Sequence, residues 1–233
     1  MKIAIIPARG GSKRIPEKNI KLFHGKPIIS YSLELAIESG LFDEIIVSTD
    51  DAKIADVAIS YGAKVPFIRP QKIADDFTGT NAVVRHALQW FYERNITFQY
   101  ACCIYATAPF LRVEFLEHGL ELLVKSSSHY AFSVTTFPYP IQRALSISKE
   151  EGRIKPYDQD NFHSRSQDLE EMYHDAAQFY WGTSKSFLEG VPMFGGLSAP
   201  VKIPRYLTQD IDTEEDWIKA EYMFKVLKEG NSH

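Results

Sequence analysis

The chain predicts a doubly wound α/β fold, a mostly parallel sheet covered by helices on both faces. Short apolar runs alternate with helical-period segments of about 12 residues, the order that builds parallel strands joined by crossover helices. The first run, Ile3-Ala4-Ile5-Ile6, is apolar at every position, as a strand buried on both sides requires. Segments following the strands are rich in charge and hydroxyls, and in open parallel sheets ligands sit outside the carboxyl ends of the strands.

Pro7 removes a backbone donor and ends the first strand. Over residues 27–38, Ile28, Ile29, Leu33, Leu35 and Ile37 recur with helical spacing, and Gly40 closes that helix. Residues 44–49 read as the second strand. Asp50 or Asp51 then caps a helix to about residue 61, and Gly62 ends it before a short strand at 64–67. A helix over 80–94, a strand at 100–105, a helix over 113–125 and a strand at 130–136 continue the alternation. It breaks at Phe137, where Pro138, Pro140 and Pro156 accompany a polar stretch. Residues 138–172 read as an arm inserted in a single domain spanning 1–233, with short strands at 144–148 and 153–157 around a Glu151-Gly152 turn. Two strands cannot bury their own apolar face, so the arm is expected to cover the cleft and to pack on a second copy of the chain as a homodimer. The chain returns to the sheet at 178–181, forms a short helix at 184–188 and a strand at 199–203, and closes with an amphipathic helix over 213–227. Glu214, Glu215 and Asp216 suit that helix's positive N-terminus.

A length of 233 residues suits one α/β domain with a subsidiary element. The net charge of −4 supplies no global field for nucleic acid or an anionic membrane, and neither is expected as a partner. Neither a signal-peptide-like apolar region nor a run of about 18 apolar residues is present, so a soluble, cytoplasmic protein is expected. Cys102 and Cys103 are adjacent in an apolar strand, which disfavours a disulfide and offers no metal-binding spacing.

The most informative segment follows the first strand. Gly10 and Gly11 permit positive φ and close backbone approach, so their N–H groups can converge on an anion. Arg9, Lys13, Arg14 and Lys18 supply charge that a triphosphate would neutralise, and Ser12 adds a donor. Neither GxxxxGK[ST] nor GxGxxG is present. Asp210-Ile211-Asp212 is the acidic counterpart: carboxylates at alternate positions of an extended segment share a face and suit Mg²⁺, which takes its other ligands from phosphates and water. Alternatively, Asp212 caps the last helix and Asp210 is solvated; a cationic phosphate loop in the same chain favours the metal. Arg69-Pro70 through Asp75-Asp76 to Thr78-Gly79-Thr80 offers donors and hydroxyls to a base or ribose. His174 and Asp175 are cleft residues, but neighbours on a strand point to opposite faces, which argues against a dyad.

ARGGSKRIPEKN after the first strand, VSTDD after the second, RPQKIADDFTGT before a helix and DIDTEEDW at the last helix together resemble the cytidylyltransferases that activate nonulosonic and related sugar acids. The family pattern xARxGSKxxxxKN is matched at Arg9, Ser12, Lys13, Lys18 and Asn19. EEMYHDAAQFYWGT is similar to the branch that takes pseudaminic acid. Tyr105 stands where sialate enzymes carry glutamine, and Ala176-Ala177 where they carry Asn-Gly.

The resemblance implies a Rossmann-like nucleotidyltransferase fold in which the anomeric hydroxyl of a nine-carbon sugar acid attacks the α-phosphorus of CTP and pyrophosphate leaves. N-acetylneuraminate and legionaminate are alternative substrates, and a non-catalytic CTP-binding regulator is a reading from another class. By the same resemblance, Arg9, Gly11, Ser12 and Lys13 hold the triphosphate, and Lys18 meets charge developing at the α-phosphate. Asn19 orients phosphate or metal-bound water, while Ala8, Arg69 and Thr80 meet cytidine. Asp210 and Asp212 hold Mg²⁺. Lys18, Arg9 and Asp212 form the catalytic set. Arg143 or Arg165 from the arm meets the sugar carboxylate, within one chain or across the dimer interface, and His174, Gln178 and Tyr180 meet its acylamino and hydroxyl groups.

Overall fold

A computed structural model describes residues 1–75, 77–150 and 152–230, so Asp76 of the proposed base-binding segment and Glu151 of the arm turn lie outside the described residues. Strand β1 (Lys2–Pro7) is followed by a hairpin of two-residue strands, β2 (Leu22–Phe23) and β3 (Lys26–Pro27). Next come α1 (Ile28–Glu38), β4 (Glu44–Ser48), α2 (Ala52–Ser60), α3 (Thr80–Tyr92), β5 (Tyr100–Ile104), α4 (Val113–Lys125) and β6 (Tyr130–Thr136). The arm carries β7 (Leu145–Ile147) and β8 (Ile154–Pro156). The chain ends with β9 (Tyr173–Thr183), α5 (Ser184–Glu189), β10 (Ser198–Lys202) and α6 (Glu214–Gly230). No described helix is long and apolar enough to cross a membrane.

The six-stranded sheet has the order β10-β6-β9-β5-β1-β4. β1 pairs in parallel with β4 and β5, and β10 in parallel with β6, whereas β9 runs antiparallel between β5 and β6. The physical reason is connectivity. A parallel neighbour needs a crossover, usually a helix. Between β6 and β9 the chain makes only the arm, so it returns as an antiparallel partner.

Two expectations change in detail, and one hairpin is added. The strand expected at 64–67 is reduced to isolated bridges, Ile46 with Lys64 and Thr49 with Ile68, because Pro66 lacks a donor for a continuous ladder. The strand expected at 178–181 is the end of a much longer β9. The β2–β3 hairpin, turning at His24 (φ 46°) and Gly25 (φ 92°), is too short to leave a periodic signal.

Alternate residues of β1 feed two cores: Ala4 and Ile6 pack under one sheet face, Ile3 and Ile5 under the other. Cys102 and Cys103 divide in the same way as buried free thiols, and burial raises both pKa values. A third cluster positions the site. Ile15 from the loop after β1, Ile211 between the two aspartates, and Trp217 from α6 are buried together with Phe23, Ile28, Phe110 and Ala220. Fully burying such aliphatic side chains is worth about 1.5–3 kcal/mol each, which pins the acidic segment beside the cationic loop. At the start of α6, Thr213 and Asp216 cap reciprocally: Asp216 accepts from the Thr213 N–H at 2.8 Å, and the Asp216 N–H donates to Thr213 Oγ1 at 3.3 Å.

Candidate active site

The loop after β1 is held by the residues after β4. The Gly10 N–H donates to Asp50 Oδ1 at 3.0 Å. Asp51 caps α2 by accepting from the N–H groups of Lys53 and Ile54. A Cβ on Gly10 would lie 2.6 Å from Asp51 Oδ2, so close approach is what requires glycine here. Neither Gly10 nor Gly11 uses the positive φ that glycine permits, and the Gly10 N–H, expected to be left for an anion, is taken up by Asp50. Asn19 is buried, and its Nδ2 donates to the Arg9 carbonyl at 2.9 Å. It therefore sets the loop's course from behind while also reaching the cavity.

This loop forms one wall of a cavity of about 490 Å³, to which Arg9, Ser12, Lys13, Arg14, Lys18 and Asn19 contribute. Arg69, Thr78 and Thr80 form the opposite wall, and Tyr105 and Thr107, following β5, complete it. Arg69 is buried and donates through Nε to Ser48 Oγ at 3.2 Å and through Nη2 to the Ser48 carbonyl. Burial lowers its pKa, with Asp50 opposing, but a guanidinium starts from so high a value that it stays charged. Thr80 opens α3 and shares a 3.0 Å hydrogen bond with the Tyr105 hydroxyl. Ala8 and Gly11 are not among the residues facing this cavity. The Ala8 N–H is spent on the Ser48 carbonyl at 3.0 Å, so it is no donor to a base.

Asp212 lies where this cavity meets a second of about 440 Å³ and lines both. The second is walled by His174, Asp175 and Ala176 from β9, by Arg205, Thr208, Gln209 and Asp210 before α6, and by Asp216 and Lys219 from α6. Lys18 Nζ donates to the Ile211 carbonyl at 2.6 Å and reaches Asp212 Oδ1 at 3.2 Å, and Arg14 Nη2 reaches Asp212 Oδ2 at 2.9 Å. The cationic loop and the acidic segment thus make direct contact. Although Asp210 keeps solvent access, the protein packed around its carboxyl raises its pKa, the Asp212 charge raises it further, and Lys18 only partly compensates. That residual negative charge is what a divalent cation would neutralise. Among the described residues no three His, Cys, Asp or Glu side chains are grouped to hold a metal unaided. Two carboxylates completed by phosphate oxygens and water match the donor set of Mg²⁺.

The other sequence-derived candidates divide. His174 and Asp175 both reach the second cavity, although sequence neighbours on a regular strand would face apart. Asp175 does so by folding back on β9. Its Oδ1 accepts the Ala177 N–H at 2.9 Å and its Oδ2 accepts the Tyr180 hydroxyl at 2.5 Å. Ala177 has φ 52° beside a register shift between β6 and β9, a left-handed conformation that costs a residue with a Cβ about 1–2 kcal/mol. Gln178 and Tyr180 are buried and face neither cavity. Gln178 Nε2 donates to the Leu207 carbonyl at 2.5 Å, and the Tyr180 ring packs 5.3 Å from that of Tyr105. They support the walls: Gln178 carries the segment leading to Asp210, and Tyr180 links Asp175 to Tyr105. Arg143 and Arg165 stay on the arm, away from both cavities. Within the arm, Arg143 donates to Ser166 Oγ at 3.2 Å, and Arg165 pairs with Asp168, three residues on, at 2.7 Å.

Sequence reasoning missed Arg205 and Lys219 altogether. Neither stands in a recognisable spacing, and α6 and the turn before it are brought to the cavity by long-range contacts such as the Ile15–Ile211–Trp217 packing and the Gln178–Leu207 bond.

A family model described as cytidylyltransferase matches residues 3–215. The chain is 46% identical over 228 residues to a pseudaminic acid cytidylyltransferase of Campylobacter jejuni subsp. jejuni serotype O:2, covering 98% of each chain. It is 31% identical over 235 residues to a CMP-N,N'-diacetyllegionaminic acid synthase of Legionella pneumophila, again covering 98% of each. Among solved structures, a CMP:2-keto-3-deoxy-manno-octonic acid synthetase complexed with CTP superposes with a TM-score of 0.71 over 96% of this chain and 98% of that one. At 15% identity this similarity speaks for the fold alone. The family match along nearly the whole length and the 46% identical relative agree with the site described above: the chain belongs to the cytidylyltransferase family.

Proposed function

We propose that this cytidylyltransferase transfers CMP from CTP to the anomeric hydroxyl of pseudaminic acid. The observation that carries the reading is the meeting of a cationic cavity and a second, polar cavity at Asp212. The first has the charge for a triphosphate and the second has room for a sugar acid. The 46% identical relative that bears the name pseudaminic acid cytidylyltransferase supports the choice of acid.

In the reaction the hydroxyl oxygen bonds to the α-phosphorus, the bond from that phosphorus to the bridging oxygen of the β-phosphate breaks, and pyrophosphate departs while the hydroxyl proton is lost. The chain's work is positioning and charge neutralisation. Arg9, Ser12 and Lys13 hold the phosphates, Lys18 stands at the junction where charge develops, and Arg69 and Thr80 bound the nucleoside end. Asp210 and Asp212 would hold Mg²⁺, which when bound neutralises phosphate charge and favours the ionised hydroxyl.

The decisive experiment is pyrophosphate release with CTP, UTP or GTP against pseudaminic, N-acetylneuraminic, legionaminic and ketodeoxyoctonic acids. Release is expected with CTP and pseudaminic acid. Faster release with another acid would transfer the assignment to it, and no release with any would leave a CTP-binding protein without turnover.

We further propose a homodimer built on the arm, working in the cytoplasm. In the β7–β8 register Leu145 faces Pro156 and Ile147 faces Ile154, which puts all four on one side of the hairpin. Ile147 and Ile154 are 68% and 65% exposed, a face a two-stranded ribbon cannot bury alone. Light scattering is expected to show a dimer that Ile147→Asp converts to monomer; a wild-type monomer at every concentration would remove the arm from this role.

A further inference from the structure

We infer that Asp216 is a positioning residue for the reaction: its carboxylate holds the chain on both sides of Asp210 and Asp212 and so aims these two side chains at Mg²⁺, a role that rests on the metal-assisted transfer proposed above. The need for such a tether follows from the segment itself. Among the described residues, 208–212 lie outside every strand and helix, so no regular ladder sets the direction of either carboxylate. Burial of Ile211 pins the middle of the segment, but apolar burial is non-directional.

Asp216 gathers four donors. Its Oδ2 accepts from the Thr213 N–H at 2.8 Å, the Thr213 hydroxyl at 2.7 Å and the Asp212 N–H at 3.3 Å, and its Oδ1 accepts from Gln209 Nε2 at 3.1 Å. Gln209 Nε2 also donates to the Asp210 carbonyl at 2.8 Å. A capping box asks its acidic side chain to accept one backbone N–H, that of the cap residue. Here the carboxylate also takes the Asp212 N–H and the Gln209 amide, so it clasps the chain from Gln209 to Thr213 with both aspartates inside the clasp. A carboxylate offers about four lone-pair sites, and these donors occupy them, which separates Asp216 in role from the two metal-holding aspartates.

The clasp matters because the other polar holds on the Asp212 carboxylate are temporary. Lys18 and Arg14 reach its two oxygens at 3.2 and 2.9 Å, but both line the cationic cavity and are drawn to the phosphates when a triphosphate enters. The hydrogen bonds to Asp216 use no group that the nucleotide takes up, and a charged acceptor makes them about twice as strong as neutral ones. Asp212 therefore keeps its place at the junction of the two cavities when metal and phosphate meet there.

The test is the equilibrium Kd of CTP for the full chain without the acid, measured in chelator and again in saturating Mg²⁺. The ratio of the two values reports the metal's contribution without turnover. Asp216→Ala is expected to cut that ratio at least about tenfold, the low end of what losing a residue behind a metal ligand costs, while the Kd in chelator moves less than about twofold. Asp216→Asn, whose carboxamide oxygen still accepts from the two N–H groups, should keep the ratio within about threefold of wild type. Thr213→Ala removes the capping hydroxyl but leaves both N–H bonds to Asp216, so it should lower Tm about as much as Asp216→Ala and leave the ratio unchanged. An unchanged ratio in Asp216→Ala overturns the proposal. So does an Asn variant as impaired as the Ala variant, since charge or direct ligation would then be at work, and so does an equally impaired Thr213→Ala, since helix stability would be the cause. If Asp216→Ala does not melt cooperatively, Asp216→Glu decides: it keeps charge and cap with the carboxylate one methylene further out, and should lose at least about threefold, an unchanged ratio again overturning the proposal. A wild-type ratio of one means that no metal joins CTP here, and the metal reading fails and takes this inference with it. A Mg²⁺-dependent wild type beside an unaffected Asp216→Ala condemns the inference alone.

Discussion

Replacing Lys18 with Ala should lower turnover by about 10²–10³-fold, the range seen when a preorganised charge or donor is taken from a transition state. Lys18 lies at the contact between the phosphate loop and the acidic segment, with Nζ 2.6 Å from the Ile211 carbonyl and 3.2 Å from Asp212 Oδ1, and only 19% of its side chain is exposed. An ammonium so placed is oriented before substrate arrives, and its charge can pass from Asp212 to the phosphate oxygens as negative charge builds during transfer. The fold should survive, because Ile15, Ile211 and Trp217 hold the same two segments together by apolar burial. Losing the hydrogen bond to Ile211 costs about 1 kcal/mol, or roughly 2–4 °C in Tm for a chain of this size. Lys18→Arg should recover only part of the activity, since a planar fork cannot replace a point charge between a carbonyl and a carboxylate. Single-turnover pyrophosphate release with a parallel melting curve makes the check. Turnover within tenfold of wild type would remove Lys18 from the reaction.

Asp212→Asn should lower turnover by about 10²-fold or more and raise the Mg²⁺ concentration for half-maximal activity by about tenfold, since a charged ligand shared by both cavities becomes neutral. CTP affinity measured without Mg²⁺ is expected to change in the opposite sense and stay equal or tighten. Arg14 and Lys18, now paired with Asp212, would be released to the phosphates. Asp210→Asn should share the Mg²⁺ shift without that gain, because neither cation pairs with Asp210. Magnesium titrations of turnover, with equilibrium CTP binding in chelator, separate the two effects. An unchanged Mg²⁺ titration in both variants would leave the pair as structural residues only.

Much of this site was legible because its parts are local. The phosphate loop announces itself by cations and glycines directly after a buried strand, and six of its predicted residues line the first cavity. The two aspartates announce themselves by a spacing of two on an extended segment. The reason for Gly10 was not legible: its role depends on Asp51, which approaches from the next βα turn. Nor could the sequence say that Gln178 and Tyr180 turn inward. That follows from the β9 bulge at Ala177, where Asp175 holds a left-handed residue in a strand that reads as regular. Arg143 and Arg165 reach neither cavity of their own chain, where they bond to Ser166 and Asp168 within the arm.

The sequence by itself determined the class of fold, the cytidylyltransferase resemblance and the two charged segments that must meet, because each is encoded within a short stretch by periodicity, turn chemistry or motif spacing. Tertiary structure alone decided the antiparallel direction of β9 and the joining of the two cavities at Asp212. Each depends on which distant side chains share a burial site, as Ile15 and Ile211 do across almost the whole chain. Long-range packing of that kind leaves no periodic trace in either segment, so only the folded chain shows which charge faces which.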